Sequence, residues 1–227
     1  MKIMNSKTTA RLVKTWKPVK LIVPFLAAVL LTTARGEEMV KYKSKANGSK
    51  VSIIGTSNVH DWTMDGTLIA GFFEVPPAVE FDQAKADLPG VTGGKLDAHA
   101  ETSIAVTSLH GSWSGMDPVM QAAMNANEHP TIQYHLTEMT LKQPHAAGTP
   151  FEFDAKGELV VNGVTNVLAM PASIQGAGAN KLKITGKVSF KMTDYKVTPP
   201  VKFGLFKTDD AVTITFEWIV GKPAPKP

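Results

Sequence analysis

The chain contains no cysteine. That excludes a disulfide framework, a zinc ribbon, a thiol nucleophile and a lipid-modified Cys anchor. It leaves the redox compartment open, since an oxidising space permits disulfides without requiring them. Long hydrophobic runs are also lacking. The apolar run Leu21–Leu31 has 11 residues and includes Pro24, against roughly 20 needed to span a bilayer. Acidic residues are missing altogether from residues 1–36, which carry 7 of the 24 Lys and Arg. Lys2, Lys7, Arg11, Lys14, Lys17 and Lys20 precede the apolar run, and Thr32-Thr33-Ala34 and Ala34-Arg35-Gly36 follow it. A basic stretch, a short apolar stretch and a small-x-small site together make a secretory signal. There is no twin-Arg pair, so the expectation is Sec export to the periplasm or beyond, with cleavage after Gly36 or Ala34. Beyond Gly36, 17 Lys and Arg face 20 Asp and Glu, a formal charge of −3. The overall pI of about 9.1 therefore belongs largely to the leader, and a nucleic-acid partner loses its electrostatic support. No transmembrane segment is expected in the mature chain.

What the mature chain has is alternation with period two. Leu182, Ile184, Gly186, Val188, Phe190 and Met192 alternate with Lys, Thr and Ser; Val212, Ile214, Phe216, Trp218 and Val220 repeat the pattern. Lys95–Val106 places Leu96, Ala98, Ala100, Ile104 and Val106 on one side, and Ile132, Tyr134 and Leu136 do the same after Pro130. Phe151, Phe153, Leu159 and Val161 share a face, and Asn162-Gly163 then predicts a hairpin turn into Thr165–Ile174. Further strands are expected over Val40–Ala46, Ser49–Thr56 and Met64–Val75, with Asn47-Gly48 as a turn between the first two. Eight or nine strands with one apolar face each predict an antiparallel all-β sandwich or barrel in a single domain, residues 37–220. Residues 221–227, with three prolines, predict a disordered tail.

One segment breaks the alternation. Asp117-Pro118 reads as a helix start, with Asp117 as N-cap. Met116, Met120 and Met124 then recur every four residues until Asn125 and His129-Pro130, which predicts a helix of about three turns with a methionine face. Such a face is either ordinary core or an adaptable lid over a cavity. Asp194–Pro200 followed by Lys202, Phe203, Leu205 and Phe206 is a loop of high apolar content. It reads either as a barrel mouth or as a loop folded back on the wall.

Chemistry-bearing residues are sparse. Ser57, His60 and Asp61 are close in sequence, but His60 and Asp61 are adjacent on an extended chain and point opposite ways. Neither a Gly-x-Ser-x-Gly elbow nor an oxyanion signature accompanies them. The six His fall in no metal-ligand spacing. No cofactor, metal or catalytic residue is expected.

Three blocks carry a resemblance to a known family. They are Asn125–Leu136 with its Pro-Thr-Ile strand start, the Gly157–Leu168 hairpin (Gly-x-Leu, then Gly-Val-Thr), and Ile184–Phe190 continuing through Tyr195 to Val212–Trp218. Over residues 40–220 the sequence resembles the YceI-like proteins, as a divergent branch. Gly55–Thr63 and Leu109–Gly115 depart from the family's usual strand and pre-helix stretches. The resemblance implies an antiparallel eight-stranded, lipocalin-like (calycin-like) barrel with one short helix, and no enzymatic residues. It further implies an interior that takes a polyisoprenoid or similar long amphiphile: an isoprenoid quinone, a polyprenol or a fatty amide. Small groups facing large ones leave room for a chain, although the same mixture fills a solid barrel. The expected ligand-binding residues are Ala98, Ala100, Tyr134, Phe153, Phe190, Phe216 and Trp218 inside, Met116, Met120 and Met124 on the lid, and Phe203 and Phe206 at the mouth. A solid barrel that binds a partner protein and a lipid-ester hydrolase remain the alternatives, and a homodimer is compatible with either.

Overall fold

The computed structural model describes residues 38–142 and 145–223. The expected export segment, 1–36, and residues 224–227 lie outside them. Among the described residues, fourteen strand segments join in one sheet, and most are sections of eight long antiparallel strands. Strand β1 runs as Val40–Ser44 and Lys50–Ser57. Strand β2 runs as Trp62–Gly66 and Ala70–Val75, and β3 as His99–Ala105 and His110–Gly111. The others are β4 (Thr131–Leu141), β5 (Phe151–Val161), β6 (Val164–Gly176), β7 (Lys181–Lys191) and β8 (Phe206–Gly221). Each pairs with the next in sequence, and β8 returns to pair with β1. The result is a closed up-and-down barrel, the all-β lipocalin-like architecture expected. Closure gives each of the eight strands a paired neighbour on both sides.

The join at β1 corrects one expectation. Asn47-Gly48 does not turn a hairpin. Lys43 and Ser44 pair with Gly221 and Val220, and Lys50 and Val51 pair with Glu217 and Phe216, in the same direction along β8. Residues 45–49 therefore bulge from one continuous strand opposite Trp218 and Ile219. The bulge is pinned by the Lys45 amide donating to Ile219 O (2.9 Å) and the Ile219 amide donating to Ser49 Oγ (3.1 Å). An Asn-Gly pair serves a bulge as well as a turn, because both need positive φ. At Asn162-Gly163 the turn is as expected, with φ of +49° and +70° joining β5 to β6.

Inside, the alternation holds. Leu182 and Ile184, Val212, Trp218 and Val220, and Phe151, Phe153, Leu159 and Val161 are all buried. One end of the barrel is plugged by the 76–90 connection, whose Phe81 packs with ring centroids 6.2 Å from Phe73, 6.0 Å from Phe151 and 6.5 Å from Phe153. At the far end sits the helix α1, Met116–Ala123, about two turns rather than three. Its N-cap is Gly115, not Asp117. Asp117 lies in the first turn and bonds backward to the preceding strand instead. Gly221, placed with the tail by sequence, is the last paired residue of β8, and the Lys222 amide still donates to Asn180 O (2.9 Å).

Strands β6 and β7 are hydrogen-bonded only from Ala172↔Gly186 to Gly176↔Leu182. The ladder stops beside Pro171, which has no N–H to give. Beyond that point the 3-10 turn Met192–Tyr195 is tied across the gap. Asn162 Nδ2 donates to Tyr195 O (3.2 Å) and Lys196 O (3.3 Å), and Asn166 Nδ2 donates to Asp194 O (2.8 Å). Tyr195 is buried there, its ring 4.9 Å from that of Phe190. Asn162→Ala is expected to destabilise the fold by about 2 kcal/mol, through loss of a residue suited to left-handed backbone and of the amide bonds. Urea unfolding checks this, and hydrogen exchange should show residues 192–197 opening first.

Candidate functional site: an apolar interior in two chambers

The interior is not filled. An outer chamber of about 390 Å³ opens at the helix end. Its floor is barrel: Ile53 and Met64, Ile132, Phe190, Val212 and Ile214. Its sides are Trp62 and His60 from the β1–β2 turn, Met192, Tyr195 and Val197 from the turn after β7, and the α1 face. Deeper in lies an inner chamber of about 110 Å³, bounded by Phe73, Ala100, Met139, Met170, Phe216 and Trp218 among others. Ile132 and Ile214 belong to the walls of both chambers. Protein cores seldom leave voids larger than a water, so apolar spaces of this size set the molecule apart from a solid barrel.

Met116, Met120 and Met124 all reach the outer chamber. The helix period that places them on one face also aims them down into the barrel. The helix itself is held by Asp117, which accepts from the Gly111 amide (2.8 Å) and from His110 Nδ1 (2.8 Å). These bonds, the backbone one foremost, hold the Asp117 carboxyl below the ordinary carboxylate range. At the rim, the expected loop is a small hairpin: Val201–Lys202 pairs with Phe206–Lys207 through a turn at Phe203-Gly204. Phe203 adopts a φ of +55°, which carries its ring outward, 79% exposed. Trp113, Val59, Leu205 and Phe206 are also exposed. Lys202 Nζ lies 4.8 Å from the centroid of the Trp113 ring.

Of the residues singled out by sequence, Ala100, Tyr134, Phe216 and Trp218 line the inner chamber, while Met116, Met120, Met124, Phe190, Phe203 and Phe206 line the outer one. Two lie elsewhere. Phe153 belongs to the aromatic plug at the closed end, and Ala98 packs against the core without lining either chamber. Sequence reasoning missed Trp62, Trp113, Met192, Tyr195 and Val197. Trp62 was within reach, because it shares the phase of Met64. The hydrolase constellation is not assembled. Ser57 Oγ donates to the His60 backbone oxygen (2.7 Å) and accepts from the His60 amide (3.2 Å), while His60 Nδ1 contacts the Asp61 backbone oxygen (2.7 Å). The three residues close a turn. Among the described residues no group of three or more His, Asp or Glu could hold a metal ion, and no helix is long and apolar enough to cross a membrane.

Comparison with known proteins agrees with this geometry. The YceI-like domain profile matches residues 42–219. This chain belongs to the YceI-like family. Similar solved structures include Burkholderia cenocepacia BcnA, at 15% identity and TM-score 0.55, covering 75% of this chain and 95% of that one. Another is a polyisoprenoid binding domain from Saccharophagus degradans implicated in plant cell wall breakdown, at 13% identity and TM-score 0.57, covering 82% and 100%. At these identities the likeness is one of fold. No curated protein matches. The YceI-like barrel described here thus carries an apolar interior characteristic of a hydrophobic-ligand-binding protein.

The Asp117 contacts predict an acid-sensitive lid. A carboxyl whose folded pKa is depressed contributes stability that is present above its ordinary value, near 3.8, and lost as the pH falls through the folded value. Hydrogen exchange of residues 116–124, corrected for intrinsic rates, should accelerate below about pH 4 before the barrel strands respond. In Asp117→Asn that pH step should vanish.

Proposed function

We propose that this YceI-like protein is exported and that it holds one long apolar or amphiphilic molecule in the barrel without acting on it chemically. The ligand class is an isoprenoid quinone, a polyprenol or a fatty amide. The observation that carries the reading is the pair of apolar chambers sharing the Ile132–Ile214 wall. Their succession from mouth to plug suits a chain-like molecule better than a compact one. The polyisoprenoid-binding description of the Saccharophagus degradans domain supports the same class. The basic, acid-free start of the chain and its short apolar run support export to the periplasm or beyond. Ser57 and His60, used within their own turn, favour binding over ester hydrolysis.

The driving force is burial of ligand CH₂ groups, about 0.8 kcal/mol each before costs. Affinity for fatty amides or isoprenoid quinones of increasing length should therefore rise with tail length until the chambers are full, with little dependence on salt. Ile214→Trp, which places a bulky group on the shared wall, should weaken a long-tailed ligand at least about tenfold while the Tm shows a folded barrel. Calorimetric titration measures both. Affinity independent of tail length, or unaffected by Ile214→Trp, would contradict the reading.

A further inference from the structure

The inner chamber is almost wholly hydrocarbon, yet two hydroxyl-bearing residues stand side by side in its wall. Thr102 on β3 and Tyr134 on β4 are direct register partners, and both line the chamber. Tyr134 Oη is buried and has no hydrogen-bond partner among the described residues. Burial pushes its pKa up to about 12, so the group is a neutral donor at any physiological pH. An unsatisfied hydroxyl in such a place costs stability, and a Phe would fill the same space without that cost.

The backbone is shaped around this side chain. A register shift between Lys156 and Gly157 leaves Thr137 as an extra, bulged residue of β4, between Leu136, which pairs with Gly157, and Glu138, which pairs with Lys156. Gly157 has no side chain to obstruct the ring: a Cβ there would lie 2.5 Å from Tyr134 Cζ and Oη and 2.4 Å from His135 O. Bulges that re-aim a side chain recur beside functional sites. Here the bulge and the glycine let a large polar-tipped ring lie along the wall of an apolar chamber.

We propose that the Tyr134 hydroxyl donates a hydrogen bond to a ligand oxygen in the inner chamber. The ligand is then an oxygen-bearing amphiphile that binds polar end first, with its tail running back through the outer chamber to the mouth. The proposal rests on the lipid-binding reading above and narrows it: a pure hydrocarbon of equal size leaves the Tyr134 hydroxyl unsatisfied and binds more weakly.

The test is calorimetric titration with a short-chain isoprenoid benzoquinone and with its oxygen-free aryl analogue bearing the same tail. Wild type should prefer the quinone. Tyr134→Phe should weaken the quinone about tenfold, with the analogue unchanged within about twofold. Tyr134→Phe without ligand should melt no lower than wild type, since no native hydrogen bond is lost. Quinone binding unchanged in Tyr134→Phe, or equal loss for both probes, overturns the assignment and leaves the lipid-binding reading standing. A drop in the unliganded Tm would show the hydroxyl satisfied within the protein and overturn it as well. Failure of wild type to bind either probe overturns both.

Discussion

Everything in this molecule depends on one closure, the pairing of the last strand, Phe206–Gly221, with β7 on one side and with the two sections of β1 on the other. Without it the sheet would end in two long edges, and the apolar faces of Leu182–Phe190 and Val212–Val220 would curl over water. With it, every strand's second residue faces a common axis. Eight strands put that axis at the distance where side chains either just meet or leave space for one small ligand. Which outcome follows is decided residue by residue. Ala100, Ala155 and Ala172 keep the wall thin at mid-height, whereas Phe73, Phe81, Phe151 and Phe153 close the far end completely. The cavity is what remains when small residues sit above an aromatic plug.

The same closure dictates where the irregularities lie. A barrel tolerates extra residues only as bulges or at its ends. Residues 45–49 bulge against β8, Thr137 of β4 bulges against the Lys156/Gly157 step of β5, and the stretch of β6 unpaired toward β7 is sealed by the Tyr195 turn. The mouth gathers the rest: the β1–β2 turn, α1 and the Phe203 hairpin. Their exposed Trp113, Phe203, Leu205 and Phe206 make that end apolar where most protein surface is not.

Much of this was legible in the sequence because a one-sided strand writes its burial as alternation. Leu182–Phe190 and Val212–Val220 needed nothing more, and the methionine spacing of 116, 120 and 124 disclosed a helix face that does meet the cavity. Long-range register was not legible. Asn47-Gly48 carries the same local signal as Asn162-Gly163, and only the pairing of both β1 sections with β8 separates bulge from turn. The Phe203-Gly204 turn was hidden because a bulky residue in left-handed backbone is a rare choice. Tyr195 and Trp113 were missed as cavity walls because they sit in segments with no period, where only the folded chain decides what faces inward. Ala98 and Phe153 show the converse: the correct phase puts a side chain inside but does not say at what depth.

The central claim is that the interior exists to hold a lipid. It is tested most directly by native mass spectrometry of the protein taken from the exported fraction of its own host, with organic extraction of any bound mass. The account predicts a protein mass starting near Glu37 that carries one stoichiometric adduct, extractable into solvent as an oxygen-bearing isoprenoid or fatty compound. A clean unliganded mass that takes up no added quinone would contradict it.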